Sequence, residues 1–94
     1  MYSLSEAAAD DIEGILSYTL IEFGDVQATK YYQGLVNCFK NLENNPKLGT
    51  VAVEIRENYL RFPHESHVIF YQQEETGIFI VRVLHSKMDP VSHF

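Results

Sequence analysis

The sequence is short of most features that mark a secreted, membrane-bound or nucleic-acid-binding chain. Among its 94 residues there is one cysteine, Cys38, so no internal disulfide can form and no zinc site built on several cysteines exists. Secreted domains of this size are usually stapled, which makes a reducing cytoplasm the expected setting. Three prolines, five glycines and no low-complexity run argue against disorder, and neither a linker nor an internal repeat interrupts the chain. Apolar runs extend only a few residues, against about 20 for a membrane-spanning helix. The opening Met1-Tyr2-Ser3-Leu4-Ser5-Glu6 has neither the positive charge nor the apolar stretch of a signal peptide. A chain this long buries about 60% of its unfolded surface, enough for one modest core, so residues 1–94 are read as a single domain.

Positive charge is scarce too. Thirteen acidic residues face seven basic ones, a net charge of -6, and the isoelectric point is near 5.0. A small protein living on RNA or DNA usually carries a basic patch, so direct nucleic-acid binding is not expected. The charges are also segregated. Residues 1–25 hold Glu6, Asp10, Asp11, Glu13, Glu22 and Asp25 and no Lys or Arg, whereas His64, His67, His85 and His93 lie in the last third with Arg61, Arg82 and Lys87.

What is present reads first as two helices. Ser5 is placed to cap a helix whose first turns carry Glu6, Asp10 and Asp11, where the helix dipole favours anions. Ala8, Ile12, Ile15, Leu16, Thr19, Leu20 and Phe23 then repeat with the 3.6-residue period of a buried stripe. Gly24 fits the C-cap and Asp25 the next N-cap. Ala28, Tyr31, Tyr32, Leu35, Phe39 and Leu42 form a second stripe, which Asn45-Pro46 ends. After Gly49 the period becomes two. Glu54 to Phe62, His67 to Tyr71 and Ile78 to His85 read as strands, the last two joined through a Gly77 turn, and Tyr2-Ser3-Leu4 as a short edge strand. The expected fold class is α+β, an N-terminal helical hairpin packed on a small antiparallel sheet of three to four strands. Strict alternation in the last strand puts Ile78, Ile80, Arg82 and Leu84 on one face, and Phe79, Val81, Val83 and His85 on the other. Both are apolar enough for a strand covered on both sides. Arg82 in such a place needs a carboxylate partner or a site.

Chemical motifs are few. Gly14, Gly24, Gly34, Gly49 and Gly77 stand alone, so there is no phosphate loop, and neither a Gly-x-Ser-x-Gly elbow nor a His-Glu-x-x-His helix occurs. Cys38, among Leu35, Phe39 and Leu42, reads as a core thiol. His64, His67 and His85 with Asp89 form a weak metal candidate, since neighbouring strands do not guarantee convergence. No metal and no cofactor are expected. Arg61, His67, Tyr71, Arg82, His85 and Asp89 fall on or just after the strands. Such a set could serve metal-free RNA cleavage, or be a solvated sheet edge with ion pairs. Composition leaves both open.

Leu4-Ser5, Ala8, Asp11-Ile12, Ile15, Tyr18 and Phe23-Gly24 resemble the N-terminal signature of the RelE/ParE toxin superfamily. Gln27-Ala28, Tyr31-Tyr32, Leu35, Leu42, Asn45-Pro46 and Leu48-Gly49 continue it. Ile55-Arg56, Tyr59, Arg61-Phe62-Pro63 and Ser66-His67-Val68-Ile69-Phe70-Tyr71 are similar to the ParE branch. Ile78, Ile80-Val81, Arg82-Val83-Leu84-His85, Met88-Asp89 and His93 extend that match nearly to the end. The resemblance implies a toxin of a type II toxin–antitoxin system. In the RelE branch such toxins cut messenger RNA in the ribosome; in the ParE branch they inhibit DNA gyrase and are held by a ParD antitoxin. The net charge of -6 favours the second over the first. A C-terminus without the tyrosine or lysine of the nuclease branch does the same. The expected function is therefore a non-enzymatic gyrase inhibitor with a ParD-like antitoxin and DNA gyrase as partners, and no membrane. Alternatives are a ribosome-dependent nuclease, or a degenerate toxin that only binds its antitoxin. By motif position, Arg61, His67, Arg82, His85 and Asp89 are the candidates for toxicity or target binding. Tyr18 and Ile21, off the core stripe of the first helix, are the candidates for antitoxin contact.

Overall fold

The computed structural model describes residues 1–56 and 58–94. Strand β1 (Tyr2–Leu4) leads into helix α1 (Glu6–Phe23), and helix α2 (Asp25–Asn44) follows after the single residue Gly24. Ser5 caps α1 as its chemistry requires, its Oγ accepting the Ala8 N–H at 2.9 Å. Gly24, with φ of 90°, ends α1 by donating its N–H to Leu20 O and opens α2 by accepting from Ala28 N. Asp25 is therefore the first residue of α2 and not its cap. Asn45, ahead of Pro46, closes α2.

The remaining chain forms β2 (Thr50–Val51), β3 (Leu60–His64), β4 (His67–Glu74), β5 (Gly77–His85) and a short 3-10 helix, Pro90–His93. The strand expected from Glu54 to Phe62 divides. Residues 53–55 are a turn, Glu57 lies outside the described residues, and regular pairing starts at Leu60. The sheet order is β1-β5-β4-β3-β2. Because β1 pairs parallel to β5, the sheet is five-stranded and mixed, where three to four antiparallel strands were expected. Gly77 allows that pairing: a Cβ there would lie 1.6 Å from Met1 O.

A bulge governs the faces of β5. Tyr71 pairs with Ile80 but Phe70 with Arg82, leaving Val81 as the extra residue. Side chains beyond it change face, which corrects the strict alternation read from sequence. Ile78, Ile80 and Val83 belong to the core under the helices, and Leu84 to a second cluster with Phe70 and Ala52 on the other face. Three cross-strand rows result on the helix side: Leu60–Tyr71–Ile80, Phe62–Ile69–Val83 and His64–His67–His85. The first two rows pack against Ala8, Ile12, Leu35, Cys38, Phe39 and Leu42. Each fully buried aliphatic there contributes about 2 kcal/mol. Burial pushes the Cys38 thiol up, as befits a core residue.

Helix α1 advances alongside β5. Ser5 donates its N–H to Ile80 O and its Oγ to Val81 O, and Asp11 reaches Val83 N. The strand ends at His85, and the last turns of α1 run past it. Leu20 and Phe23, read as part of the buried stripe, are consequently exposed, as is Val26 across the hairpin turn. Among the described residues no helix is long and apolar enough to cross a membrane.

Tyr71, fully buried, ties the α2–β2 connection to the sheet. Its hydroxyl donates to Pro46 O at 2.8 Å and accepts from Gly49 N at 2.9 Å. Tyr71→Phe leaves a donor and an acceptor unsatisfied and is expected to lower unfolding free energy by about 1–3 kcal/mol in urea titration.

Candidate functional site

The overrun of the hairpin beyond the sheet leaves a groove of about 1010 Å³. One wall is α1, contributing Asp10, Gly14, Ile15, Tyr18 and Phe23; Gln27 and Tyr31 of α2 stand opposite. The floor is the end of β5 from Arg82 to His85, and Glu65 with Ser66 in the β3–β4 turn forms the far lip. Met88 and His93 close the third side. Glu65 has φ of 55°, a left-handed conformation costing a non-glycine residue about 1 kcal/mol.

Two members of the histidine row, His67 and His85, line this groove. His67 and His85 rings meet edge-on with centroids 5.4 Å apart, and Tyr31 packs on both His64 and His67. Tyr31 Oη lies 2.5 Å from His67 Nδ1. Burial, with Glu65 adding to it, pushes the Tyr31 phenol up to about 12, so the hydroxyl is the donor. Neutral His67 then carries its proton on Nε2. Lys87 N donates to His85 Nδ1 at 3.1 Å, which puts the proton of neutral His85 on Nε2 as well. Burial above all, then His85 and His64, holds His67 below the ordinary histidine value. Among the described residues no group of three or more His, Cys, Asp or Glu side chains is arranged to hold a metal. Asp89 stands apart, capping the 3-10 helix through Val91 N at 3.2 Å.

Arg82 is the one Lys or Arg side chain lining the groove among the described residues, and each of its three guanidinium nitrogens donates a hydrogen bond. Its Nε and Nη2 donate to both Asp11 carboxylate oxygens at 2.8 Å, and its Nη1 donates to His93 O at 2.6 Å. The same Asp11 accepts Val83 N–H at 3.0 Å. The sequence requirement for a carboxylate partner is met by Asp11, not Asp89. Hydrogen bonding to Asp11 holds the Arg82 guanidinium above its ordinary value despite burial.

Arg61 is elsewhere. It pairs across the sheet with Phe70 on the outer face and reaches Glu54 at 2.8 Å. Of the antitoxin candidates, Tyr18 lines the groove, while Ile21, 81% exposed, lies outside it. The structure thus brings together His67, Arg82, His85 and Tyr18, and keeps Arg61, Asp89 and Ile21 apart from them. Tyr31, Glu65 and Phe23 were missed as site residues. Tyr31 and Phe23 sat in helical core stripes, and Glu65 gave no signal beyond a position between two strands. Chemically the floor offers two imidazole N–H donors, the walls apolar surface, and the rim free carboxylates. Among the described residues, no lysine and no arginine other than Arg82 lines the groove.

The chain is a member of the RelE/ParE toxin superfamily. The family model described as "ParE toxin of type II toxin-antitoxin system, parDE" matches residues 2–90, and the chain belongs to this family. It is 37% identical over 89 residues to Toxin ParE1 of Mycobacterium tuberculosis, spanning 94% of this chain and 91% of that one. It is 32% identical over 92 residues to Toxin ParE1 of Caulobacter vibrioides, spanning 98% and 95%. A solved structure of the chromosomal ParDE toxin–antitoxin system from P. aeruginosa shares the fold with a TM-score of 0.76 at 20% identity, over 89% of this chain and 92% of that one.

Two outcomes follow from this geometry. Asp11→Ala strips Arg82 and Val83 N–H of their acceptor and should cost about 3 kcal/mol in urea unfolding, with Glu13→Ala on the same helix within about 0.5 kcal/mol of the parent. His67 is depressed in the folded state, so between that value and the unfolded 6.5 the unfolded chain binds more protons. Its contribution is present above about pH 6.5 and fades as pH falls through that value. His67→Gln should therefore flatten the fall in thermal midpoint between about pH 7.5 and about pH 5.5, measured by circular dichroism.

Proposed function

We propose that this ParE-family chain is a protein-directed toxin. It inhibits DNA gyrase by contact, catalyses no reaction, acts in the cytoplasm, and is neutralised by a ParD-like antitoxin that seats a segment in the groove. The observation that supports this best is the state of the groove. Its arginine is spent on Asp11 and His93, and its free ionic groups, Asp10 and Glu65, repel phosphate. An RNA-cutting site needs cations free to meet transition-state charge. Exposed Tyr18 and Phe23 give the groove an apolar wall of the kind that takes an amphipathic helix. Arg61 and Asp89, outside the groove, are left as contacts for the target. The alternative, cleavage of messages in the ribosome, draws on the paired His67 and His85.

Purified protein should abolish supercoiling by gyrase in a dose-dependent way and leave ribosome-bound messenger RNA intact. Unchanged supercoiling at large excess refutes the gyrase reading, and codon-specific cleavage establishes the alternative. Arg61→Ala removes a half-buried charge paired with Glu54 at little cost to the fold and should weaken inhibition about threefold to tenfold.

A further inference from the structure

We infer that the groove selects a partner segment that is amphipathic and basic: one apolar face against Tyr18, Phe23 and Ile15, flanked by Lys or Arg side chains that meet Asp10 and Glu65. This rests on the antitoxin reading above and names the chemistry of the segment. The toxin is acidic, with a net charge of -6, so long-range steering favours a basic segment as well.

Charge complementarity carries the argument. Among the described residues, the Asp, Glu, Lys and Arg side chains that line the groove are Asp10, Asp11, Glu65 and Arg82. Asp11 and Arg82 neutralise each other through two hydrogen bonds of 2.8 Å. What faces an incoming segment is then Asp10 on the α1 wall and Glu65 on the opposite lip, both exposed and both negative. His67 adds no positive charge, since burial and two neighbouring histidines hold it neutral. Outside the groove, α1 also carries Glu6, Glu13 and Glu22 and no Lys or Arg, so no positive charge on that helix offsets Asp10. An acidic segment would bring like charges together over a partly desolvated apolar surface, whereas a basic one gains at both lips. The apolar wall supplies affinity for either, so charge is the element that discriminates.

The test uses two fluorescent synthetic amphipathic peptides of equal length with the same leucine face, one flanked by Lys and Arg and the other by Glu. Fluorescence anisotropy with the intact protein should show the basic peptide binding about fivefold to tenfold tighter, an advantage that shrinks with added salt. Asp10→Asn/Glu65→Gln should remove most of it. Glu74→Gln/Glu75→Gln, charge-matched at the opposite end of the β4 strand, should retain it. Equal binding of both peptides, or tighter binding of the acidic one, overturns the inference. Where such binding is also lost in Tyr18→Asp, the groove still stands as a docking site and only its charge rule fails. Binding of neither peptide overturns both. A preference that survives in Asp10→Asn/Glu65→Gln also overturns the inference, since the charge then acts from outside the groove.

Discussion

The fold turns on one carboxylate. Asp11 accepts two hydrogen bonds from the Arg82 guanidinium and a third from Val83 N–H, just past the point where Val81 bulges out of register. A bulge leaves backbone groups without ladder partners, and buried backbone groups need them. Here α1 supplies them: Ser5 covers Ile80 O and Val81 O, and Asp11 covers Val83 N–H. The helix thereby seals the edge of β5 that β1, ending at Leu4, no longer reaches. The bulge in turn switches faces, so Val83 joins the core under the helices and His85 falls into line with His64 and His67.

That anchoring also creates the groove. About six residues of α1 separate its contacts at Ser5 and Asp11, a rise of about 9 Å, while β5 advances from Ile80 to Val83, about 10 Å. At this rate the end of β5 at His85 lies level with about Ile15, and the remaining helix projects some 12 Å past the sheet. Phe23, on the stripe, is exposed at the end of this overrun, while Tyr18 and Ile21 are exposed because they lie off the stripe and Leu20 borders the cleft between α1 and α2. The histidine row closes the exposed end of the core, where a polar side chain can keep one edge wet and the other against Tyr31.

The helical hairpin was legible because stripe spacing, Ser5, Gly24 and Pro46 all agree. Two strand regions and the parallel edge at Tyr2–Leu4 were also readable as segments, though not the direction of pairing, which depends on how α1 carries the chain across the sheet. The faces of β5 beyond Ile80 were misread because a bulge has no sequence signature when the extra residue is a valine. The partner of Arg82 was hidden for the same reason. Asp11, 71 residues away, meets it only once the bulge has turned the strand. Leu20 and Phe23 carry the period of a buried stripe, and period cannot report that the sheet is shorter than the helix. Of the strand read from Glu54 to Phe62 only Leu60 to Phe62 is regular; residues 53–55 turn instead, and Ala52 and Ile55 cover the outer face.

Consistency between local pattern and global fold is the mark of a well-specified chain, and departures from it collect at functional surfaces. The departures here gather in one place. The bare apolar turns of α1, the left-handed Glu65 and the depressed His67 all border the same groove. None of them improves the stability of the isolated chain: exposed apolar surface, a strained backbone and a half-buried imidazole each detract from it. The Asp11 clamp is different in kind, since it stabilises the sheet edge and also consumes the groove's one arginine. Net charge therefore misleads in either direction when read alone. The basic residues that seem to balance the acidic N-terminal helix are Arg82, locked into the fold, and Arg61, paired on the far face. What remains at the groove is carboxylate and apolar surface, a combination suited to recognising protein and poorly suited to approaching phosphate.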